Sequence, residues 1–136
     1  MRQTYREGGG FEEAAAYSRA VRAGCHVAVS GTAALGPGGV LFPGDVYAQT
    51  CEAIRRGLAA AATLGARPED IVRSRLLLAP GADWVGAVRA HREAFAGIDP
   101  ANTTYYVGGF IPPGVLVEVE LDAVVAEAPP TEAPPR

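Results

Sequence analysis

Three carboxylates stand two residues apart near the end of the chain, at Glu118, Glu120 and Asp122. A row of acidic side chains is one way to ligate a metal ion. Side chains two positions apart on a β-strand share a face but lie about 6–7 Å from one another, which is too far for one ion unless other ligands complete the site. The row therefore favours a solvated or arginine-paired strand face over a metal site.

The thiols and imidazoles offer a second set of possible metal ligands, which consists of Cys25, His26, Cys51 and His91. Their spacing matches no recognised zinc pattern, so we predict no metal site and expect both cysteines to be free thiols that pack as small apolar side chains. His91 lies on an apolar helical stripe, which favours a packed, hydrogen-bonded imidazole over a catalytic one. It is still the only candidate in that region that titrates near pH 7.

The composition excludes several classes of protein. All 12 basic residues are arginine, so Schiff-base chemistry on a lysine and a P-loop lysine are both impossible. The net charge is -3 and the basic residues are scattered, which gives no electrostatic footprint for nucleic acid. No apolar run reaches the roughly 18 residues needed to cross a bilayer, and the N-terminus lacks the apolar core of a signal peptide. We therefore expect a cytoplasmic protein that engages neither nucleic acid nor membrane.

Strand and helix patterns indicate which elements hold these groups. Alternating apolar residues predict strands at residues 2–6, 26–30, 71–79, 103–107 and 115–125. Helical spacing predicts a long helix that begins after Asp45 and a second that begins after Asp83, with each aspartate as the N-cap. The core-facing stripe of the second helix is predicted to consist of Trp84, Val88, His91 and Phe95.

The order β-β-α-β-α-β-β predicts an α+β fold, a mixed β-sheet with both main helices on one face. The other face carries apolar side chains such as Leu77 and Tyr105 and needs a cover. Burial against further copies is the simplest solution, so we expect an oligomer with closed symmetry. Residues 1–125 are predicted to form a single domain, and residues 126–136, rich in proline and alanine, a disordered tail.

Several short segments resemble the RidA/YjgF (Rid) family in order and spacing. They are Ala16-Tyr17-Ser18-Arg19-Ala20-Val21, Val29-Ser30-Gly31, Gln49-Thr50, Gly65-Ala66 with Glu69-Asp70-Ile71-Val72, and Val117-Glu118-Val119-Glu120. The resemblance runs from about residue 14 to 125. It implies a chorismate-mutase-like protomer and a homotrimer whose sheets form a central β-barrel, with three clefts between subunits. It also implies cofactor-independent hydrolysis of 2-aminoacrylate and related imines to keto acids and ammonia.

The resemblance assigns roles to individual positions. Tyr17 and Ser18 match a cleft tyrosine–serine pair, and Ser30 and Gly31 match cleft residues at the end of a strand. Glu118 matches the acidic residue associated with the attacking water. The resemblance thus implies Glu118 and Ser30 as catalytic residues, with Tyr17 and Gly31 in contact with the substrate.

One position departs from the family pattern. The arginine that binds the substrate carboxylate is expected within residues 99–104, and Asn102 stands in its place. An amide cannot supply a charge-assisted fork, and loss of such a partner costs about 2–5 kcal/mol. Arg89 on the second helix could replace the charge if it reaches the cleft, and a solvated helix-surface arginine is the alternative. Thr103 belongs to the same substrate-binding stretch.

Two adjacent tyrosines follow in the same strand. Because strand side chains alternate, either Tyr105 or Tyr106 must point toward the cleft, where it could form an aromatic wall for a larger substrate. Ordinary strand tyrosines at a subunit contact are the alternative.

Three functions remain open at this point. The first is a Rid-like enzyme that hydrolyses or deaminates a reactive imine or enamine with an altered substrate range. The second is a pathway-specific catalyst of cyclisation, dehydration or hydrolysis in specialised metabolism. The third is a non-catalytic trimer that binds a small-molecule ligand.

Overall fold

The computed structural model describes residues 1–126. The strands are β1 (Arg2–Tyr5), β2 (Ala20–Ala23), β3 (His26–Thr32), β4 (Leu35–Gly36), β5 (Gly39–Val40), β6 (Ile71–Leu78), β7 (Ala101–Tyr106) and β8 (Val117–Val124). The helices are α1 (Gly10–Ala15), α2 (Val46–Thr63) and α3 (Trp84–Phe95), with a 3-10 turn at Pro68–Asp70. Six strands form one sheet in the order β1-β2-β3-β8-β6-β7, and β4 pairs with β5 in a separate hairpin. Only β6 and β7 run parallel among the pairs of the main sheet. This mixed sheet with two main helices confirms the predicted fold class.

The core lies between α2 and the middle of the sheet, where α2 contacts β3, β8 and α3. The sheet residues that face the helices are Val27, Val29, Leu76, Leu78, Val117, Val119, Leu121 and Ala123, and all of them are buried. Gly57 of α2 sits against Leu121, where an added Cβ would lie 3.0 Å from Leu121 Cδ1. The small residues of α2 therefore let the helix lie close against the sheet.

Both predicted helix caps are confirmed. The Asp45 carboxylate accepts a hydrogen bond from the Ala48 amide at 3.0 Å, and the Asp83 carboxylate accepts one from the Val85 amide at 3.1 Å. Each cap satisfies a backbone N–H that the first turn of its helix leaves without a partner.

The predicted core-facing stripe of α3 is wrong in part. Trp84 and Val88 are exposed at 55% and 41%, while Phe95 is buried. The residues of α3 that α2 and the sheet bury are Gly86, Ala87, Ala90 and Phe95. Small residues form this face because α3 packs closely on α2, so the larger side chains are left on the outer side.

Several local features were not predicted. The short α1 and β2 and the β4–β5 hairpin lack the length that makes periodicity readable. Alternation along residues 71–79 predicts one face of Val72, Ser74, Leu76 and Leu78, yet Val72 is exposed, because the pairing of β6 with β8 shifts register between Ile71 and Arg73. Cys51 was expected to pack and is exposed. The predicted tail begins at residue 126, and its residues 127–136 lie outside the described part of the chain.

Candidate functional site

A cavity of about 420 Å³ opens where α1, the ends of β3 and β8, and the loop at residues 109–112 meet. Its lining residues are Glu7, Gly9, Phe11, Glu12, Tyr17, Arg19, Gly31, Ala33, Leu35, Arg56, Gly109, Phe110, Ile111, Pro112 and Glu118. Charged side chains and an apolar rim thus share one hollow. Three of the residues that the resemblance singled out, Tyr17, Gly31 and Glu118, come together in it.

Glu118 lies on the face of β8 that is turned away from the helices. It pairs with Leu77 on β6, and its neighbours Val117 and Val119 point into the core. The side chain lies directly over Gly31, where an added Cβ would be 2.5 Å from Glu118 Oε1. Gly31 belongs to the irregular stretch between Val29 and Thr32 in which β3 shifts its register against β8. A glycine at this position is therefore what leaves space for the carboxylate.

The environment of Glu118 raises the pKa of its carboxyl above the ordinary value of 4.5, chiefly because the group is withdrawn from water. The positive charge of Arg19 lowers this pKa, and the negative charge of Glu120 adds to the increase. A carboxyl with a raised pKa is a stronger base than an ordinary one, which suits a group that takes up a proton during a reaction.

Arg19 brings a buried guanidinium to the same cavity. Its Nη2 donates to the Gly31 carbonyl at 3.0 Å and its Nη1 contacts Thr32 Oγ1 at 3.5 Å. The Tyr17 ring centroid lies 5.7 Å from Arg19 Cζ, within cation–π distance. Gly31 therefore lies between a carboxylate on one side and a guanidinium on the other.

Two further charged groups hold the wall of the cavity together. Arg56 of α2 donates from Nη2 to both carboxylate oxygens of Glu7, at 3.0 and 3.1 Å, and from Nη1 to the Ala33 carbonyl. The Glu12 carboxylate is buried and accepts hydrogen bonds from the Glu7 amide at 3.1 and 3.3 Å. These bonds attach the segment before α1 to the rest of the protein.

Ser30 does not line the cavity. Its hydroxyl donates to the Ser18 carbonyl at 2.7 Å, and its own carbonyl accepts from Thr32 Oγ1 at 2.7 Å. Ser30 thus fixes the irregular end of β3, which makes it a positioning residue for Gly31 in this geometry.

Asn102 lies on the opposite face of the sheet from Glu118. It pairs with Ser74 on β6, and its Nδ2 donates to Ser74 Oγ at 3.0 Å. Ser74 Oγ is also 2.7 Å from His91 Nε2, and Asn102 Oδ1 accepts from Thr104 Oγ1 at 2.8 Å. We name Ser74, His91, Asn102 and Thr104 the serine–histidine cluster. It lies on the helix side of the sheet, so Asn102 and Glu118 are not brought together within one protomer.

The remaining predicted ligand-binding residues lie elsewhere. Arg89 of α3 stacks over the Tyr47 ring, with Cζ 3.8 Å from its centroid, and does not line the cavity. Thr103 and Tyr105 pair with Arg75 and Leu77, which places them on the same sheet face as Glu118 but two strands away. Of the two alternatives left open for the acidic row, a solvated or an arginine-paired face, this face is the arginine-paired one, because Arg75 Nη1 lies 3.3 Å from Glu120 Oε1 and 3.6 Å from Asp122 Oδ2.

Sequence reasoning missed Arg19, Arg56 and Glu12. Arg19 directly follows the Tyr17-Ser18 pair, and this position next to two predicted cleft residues was the available signal that it reaches the cavity. Arg56 and Glu12 reach the cavity only through the placement of α1 against α2, for which the sequence carries no local sign. For the apolar rim at Phe110, Ile111 and Pro112, the apolar character of these residues was the available signal.

The structure adds two negative findings about residues 1–126. In this part of the chain no group of three or more His, Cys, Asp and Glu side chains is arranged to hold a metal ion. Within the same residues, no helix combines the length and the apolar character needed to cross a membrane.

Comparison with known proteins identifies the relatives of this chain. The family model described as endoribonuclease L-PSP matches residues 10–125. The uncharacterized protein SCO2049 of Streptomyces coelicolor is 40% identical over 117 residues, which cover 85% of this chain and 87% of that protein. Rv2704 of Mycobacterium tuberculosis, described as a member of the YjgF/YER057c/UK114 family, is 38% identical with a TM-score of 0.83, over 92% of this chain and all of that one.

A more distant structure shares the fold. YyfA of Yersinia pestis, described as a protein of unknown function in the conserved Rid family, is 23% identical with a TM-score of 0.78, over 92% of this chain and all of that one. Two relatives close to 40% identity and a family match over nearly all described residues agree with one another. The chain therefore belongs to the endoribonuclease L-PSP family, which is also called the YjgF/YER057c/UK114 or Rid family.

Proposed function

We propose that this protein hydrolyses a reactive imine or enamine to the corresponding carbonyl compound and ammonia. The observation that carries the proposal is the Glu118 carboxylate, seated over Gly31 in a cavity that also holds Tyr17 and Arg19. A carboxyl with a raised pKa beside a fixed positive charge is suited to moving a proton, and family membership supports the same chemistry.

The reaction needs one group that accepts and returns a proton. Glu118 accepts a proton from water while the water oxygen bonds to the imine carbon. The carboxyl then returns the proton to the nitrogen, which gives a carbinolamine. Glu118 next takes the proton of the new hydroxyl and passes it to the amine as the carbon–nitrogen bond breaks, so ammonia leaves and a carbonyl group remains. An enamine substrate first gains a proton on carbon and loses one from nitrogen, which gives the imine. No oxidant or reductant enters the balance.

The proposal includes a homotrimer. The sheet face that carries Glu118 also carries Tyr105, which is 42% exposed, and Ile111 at the cavity rim is 86% exposed. Three copies arranged with their sheets around a central barrel would cover this face and enclose the cavities between subunits. Sedimentation equilibrium tests this part, with three times the chain mass as the expected result and a stable monomer as the contradicting one.

The decisive experiment follows the loss of an imine. A second enzyme generates 2-aminoacrylate or 2-iminopropionate in the cuvette, and keto-acid release is followed with and without this protein. We expect faster release with the native chain and none of the acceleration with Glu118→Gln. Rates equal to buffer with the native chain would contradict the proposal.

A second candidate is a role with a larger and more apolar ligand, either as a pathway-specific catalyst or as a non-catalytic binding protein. The apolar rim formed by Phe11, Leu35, Phe110 and Ile111 favours it. Soaking crystals with mixtures of aromatic metabolites distinguishes the two candidates, because density for a bound aromatic compound together with no imine turnover favours the second.

A further inference from the structure

Arg19 carries a buried positive charge that no carboxylate of residues 1–126 neutralises through a hydrogen bond. Its side chain is 10% exposed, and its nearest carboxylate oxygen, Glu12 Oε1, lies 3.9 Å from Nε, beyond hydrogen-bond distance. Among the described residues Nε has no hydrogen-bond partner. Glu12 is engaged elsewhere, because both of its oxygens accept from the Glu7 amide. A buried guanidinium that has a carboxylate near it but no hydrogen bond to that carboxylate is incompletely compensated, so this arrangement favours a further anionic partner.

The other guanidinium of the cavity shows the contrast. Arg56 binds both oxygens of Glu7 at 3.0 and 3.1 Å and also donates to the Ala33 carbonyl. Its hydrogen-bonding groups are therefore largely satisfied within the protein. Arginine has five N–H donors, and Arg19 uses one on each terminal nitrogen, for Thr32 Oγ1 and the Gly31 carbonyl. A second hydrogen remains on each of the Arg19 terminal nitrogens.

The position of Arg19 relative to Glu118 indicates where an anion would bind. The guanidinium donates to the carbonyl of Gly31, and the Glu118 carboxylate lies over the Cα of the same glycine. The two groups influence each other electrostatically, yet among the described residues they form no ion pair at contact distance. Both groups line the cavity, so an anion in it would contact the Arg19 guanidinium close to Glu118.

We propose that Arg19 is the anion-binding and specificity-determining residue of this cavity, and that it holds the carboxylate of an acid-bearing ligand beside Glu118. The inference rests on the proposed function only in taking this cavity as the reaction site. The fixed positive charge then comes from Arg19, directly before β2 in the same protomer. It does not come from position 102, because Asn102 lies on the helix side of the sheet. A charge-assisted contact of this kind strengthens binding by about 10- to 100-fold.

The test compares two probes that differ in charge and hardly in shape, pyruvate and pyruvamide. Their dissociation constants are measured by NMR titration of the full chain, which requires no turnover. The native protein is expected to bind pyruvate at least tenfold more tightly than pyruvamide. Arg19→Gln is expected to remove this preference, and Arg19→Lys to keep part of it, because lysine retains the charge but not the fork.

Arg22→Gln is the matched control. Arg22 lies in β2, three residues after Arg19, and also donates to backbone carbonyls, those of Gly24 and Leu64, both at 2.9 Å, but it does not line the cavity. This variant should retain the preference for pyruvate. Circular dichroism and the thermal midpoint establish that each variant is folded.

The outcomes separate this inference from the proposed function. Equal affinity of the native protein for the two probes, or no binding of either, overturns the assignment even if Arg19→Gln does not fold. A folded Arg19→Gln that keeps the preference also overturns it. If pyruvate selectivity depends on Arg19 while imine turnover is absent, the anion site stands and the proposed reaction fails.

Discussion

Two polar clusters flank the same sheet, and they differ in how completely their hydrogen bonds are satisfied. On the helix side, Ser74 is fully buried and its hydroxyl contacts both His91 and Asn102. On the other side, Arg19 has an Nε without a partner, and the Glu118 carboxylate is partly withdrawn from water without a contact ion pair among the described residues. Buried polar groups are almost always satisfied, so the exceptions call for an explanation.

This difference indicates that the serine–histidine cluster is structural and that the cavity cluster is the candidate functional site. The serine–histidine cluster contains the residue types of a nucleophilic site, yet Ser74 has no exposed surface through which a substrate could reach it. Its bonds connect α3 to β6 and β7. The cavity cluster has open space beside it, and the Arg19 Nε–H within it lacks a hydrogen-bond partner among the described residues. Residue types alone would favour the serine–histidine cluster as the site. Access for a substrate and the N–H left without a hydrogen bond favour the cavity cluster instead.

The largest effect is expected from Glu118→Gln. Loss of a proton-transferring group lowers the rate by about 10²- to 10⁴-fold, so imine turnover should fall to the buffer rate. Because burial raises the pKa of Glu118, folding favours the protonated form and stability is lost as pH rises through that pKa. The amide removes this cost, so the thermal midpoint at pH 7 should not fall. A variant with full turnover would place the proton transfer elsewhere.

Gly31→Ala is expected to lower turnover by about 100-fold, because a displacement near 1 Å at a reacting group has that cost. The new Cβ would lie 2.5 Å from Glu118 Oε1, so the flexible carboxylate must move. Gly9→Ala is the matched control on the same cavity wall, where the Cβ would lie 3.8 Å from Glu12 Oε1 in ordinary contact. Equal activities of the two variants, measured by keto-acid release, would disprove the role of Gly31.

Ser74→Ala should lower the free energy of unfolding by about 1–3 kcal/mol, because His91 and Asn102 each lose a buried partner. Imine turnover should stay within twofold of the native rate. Thr63→Ala removes an exposed hydroxyl that donates to a helix carbonyl at 3.0 Å, and it should change stability by less than about 0.5 kcal/mol. Urea denaturation measures both. A large loss of turnover in a folded Ser74→Ala would reverse the comparison between the clusters.

Asn102→Arg tests whether position 102 can supply a charge to the cavity. The Asn102 amide donates to Ser74 Oγ on the helix side, so an arginine there disrupts the serine–histidine cluster. We expect lower stability and no gain in turnover of an acid-bearing imine. Thr103→Arg, on the other sheet face, should leave the cluster and its stability intact. A gain of turnover in Asn102→Arg would contradict this account and indicate that position 102 contributes to a cavity in the assembly.

The smallest effect concerns pH. Burial lowers the pKa of His91 below its ordinary 6.5, so the folded state favours the neutral ring. Stability is therefore present above pH 6.5 and is lost as pH falls through the lower folded pKa. His91→Gln should flatten the decline of the thermal midpoint between pH 7.5 and 5. An unchanged slope would show that other groups cause the decline.

Much of the fold was predictable because its signals are local. The alternation in β8 separates buried valines from Glu118 and Glu120, and Asp45 and Asp83 each cap the helix that follows. Prediction failed where neighbouring elements decide burial. Trp84 and Val88 have the spacing of a core stripe, but where α3 packs closely on α2 its buried residues are Gly86, Ala87 and Ala90. Val72 changed face because of a register shift that no alternation pattern reveals.

For the candidate site, the sequence by itself determined which chemical groups are available. The chain has no lysine, an arginine directly after Tyr17-Ser18, and a glutamate on the last strand. Only the tertiary structure decided which of these groups meet. Strand register places Glu118 over Gly31 and Asn102 on the other face of the sheet. Glu118, near the end of the chain, thereby reaches the same glycine as Arg19, which lies near its beginning. Distances between residues far apart in sequence depend on packing, and packing also decides which charges remain without a partner.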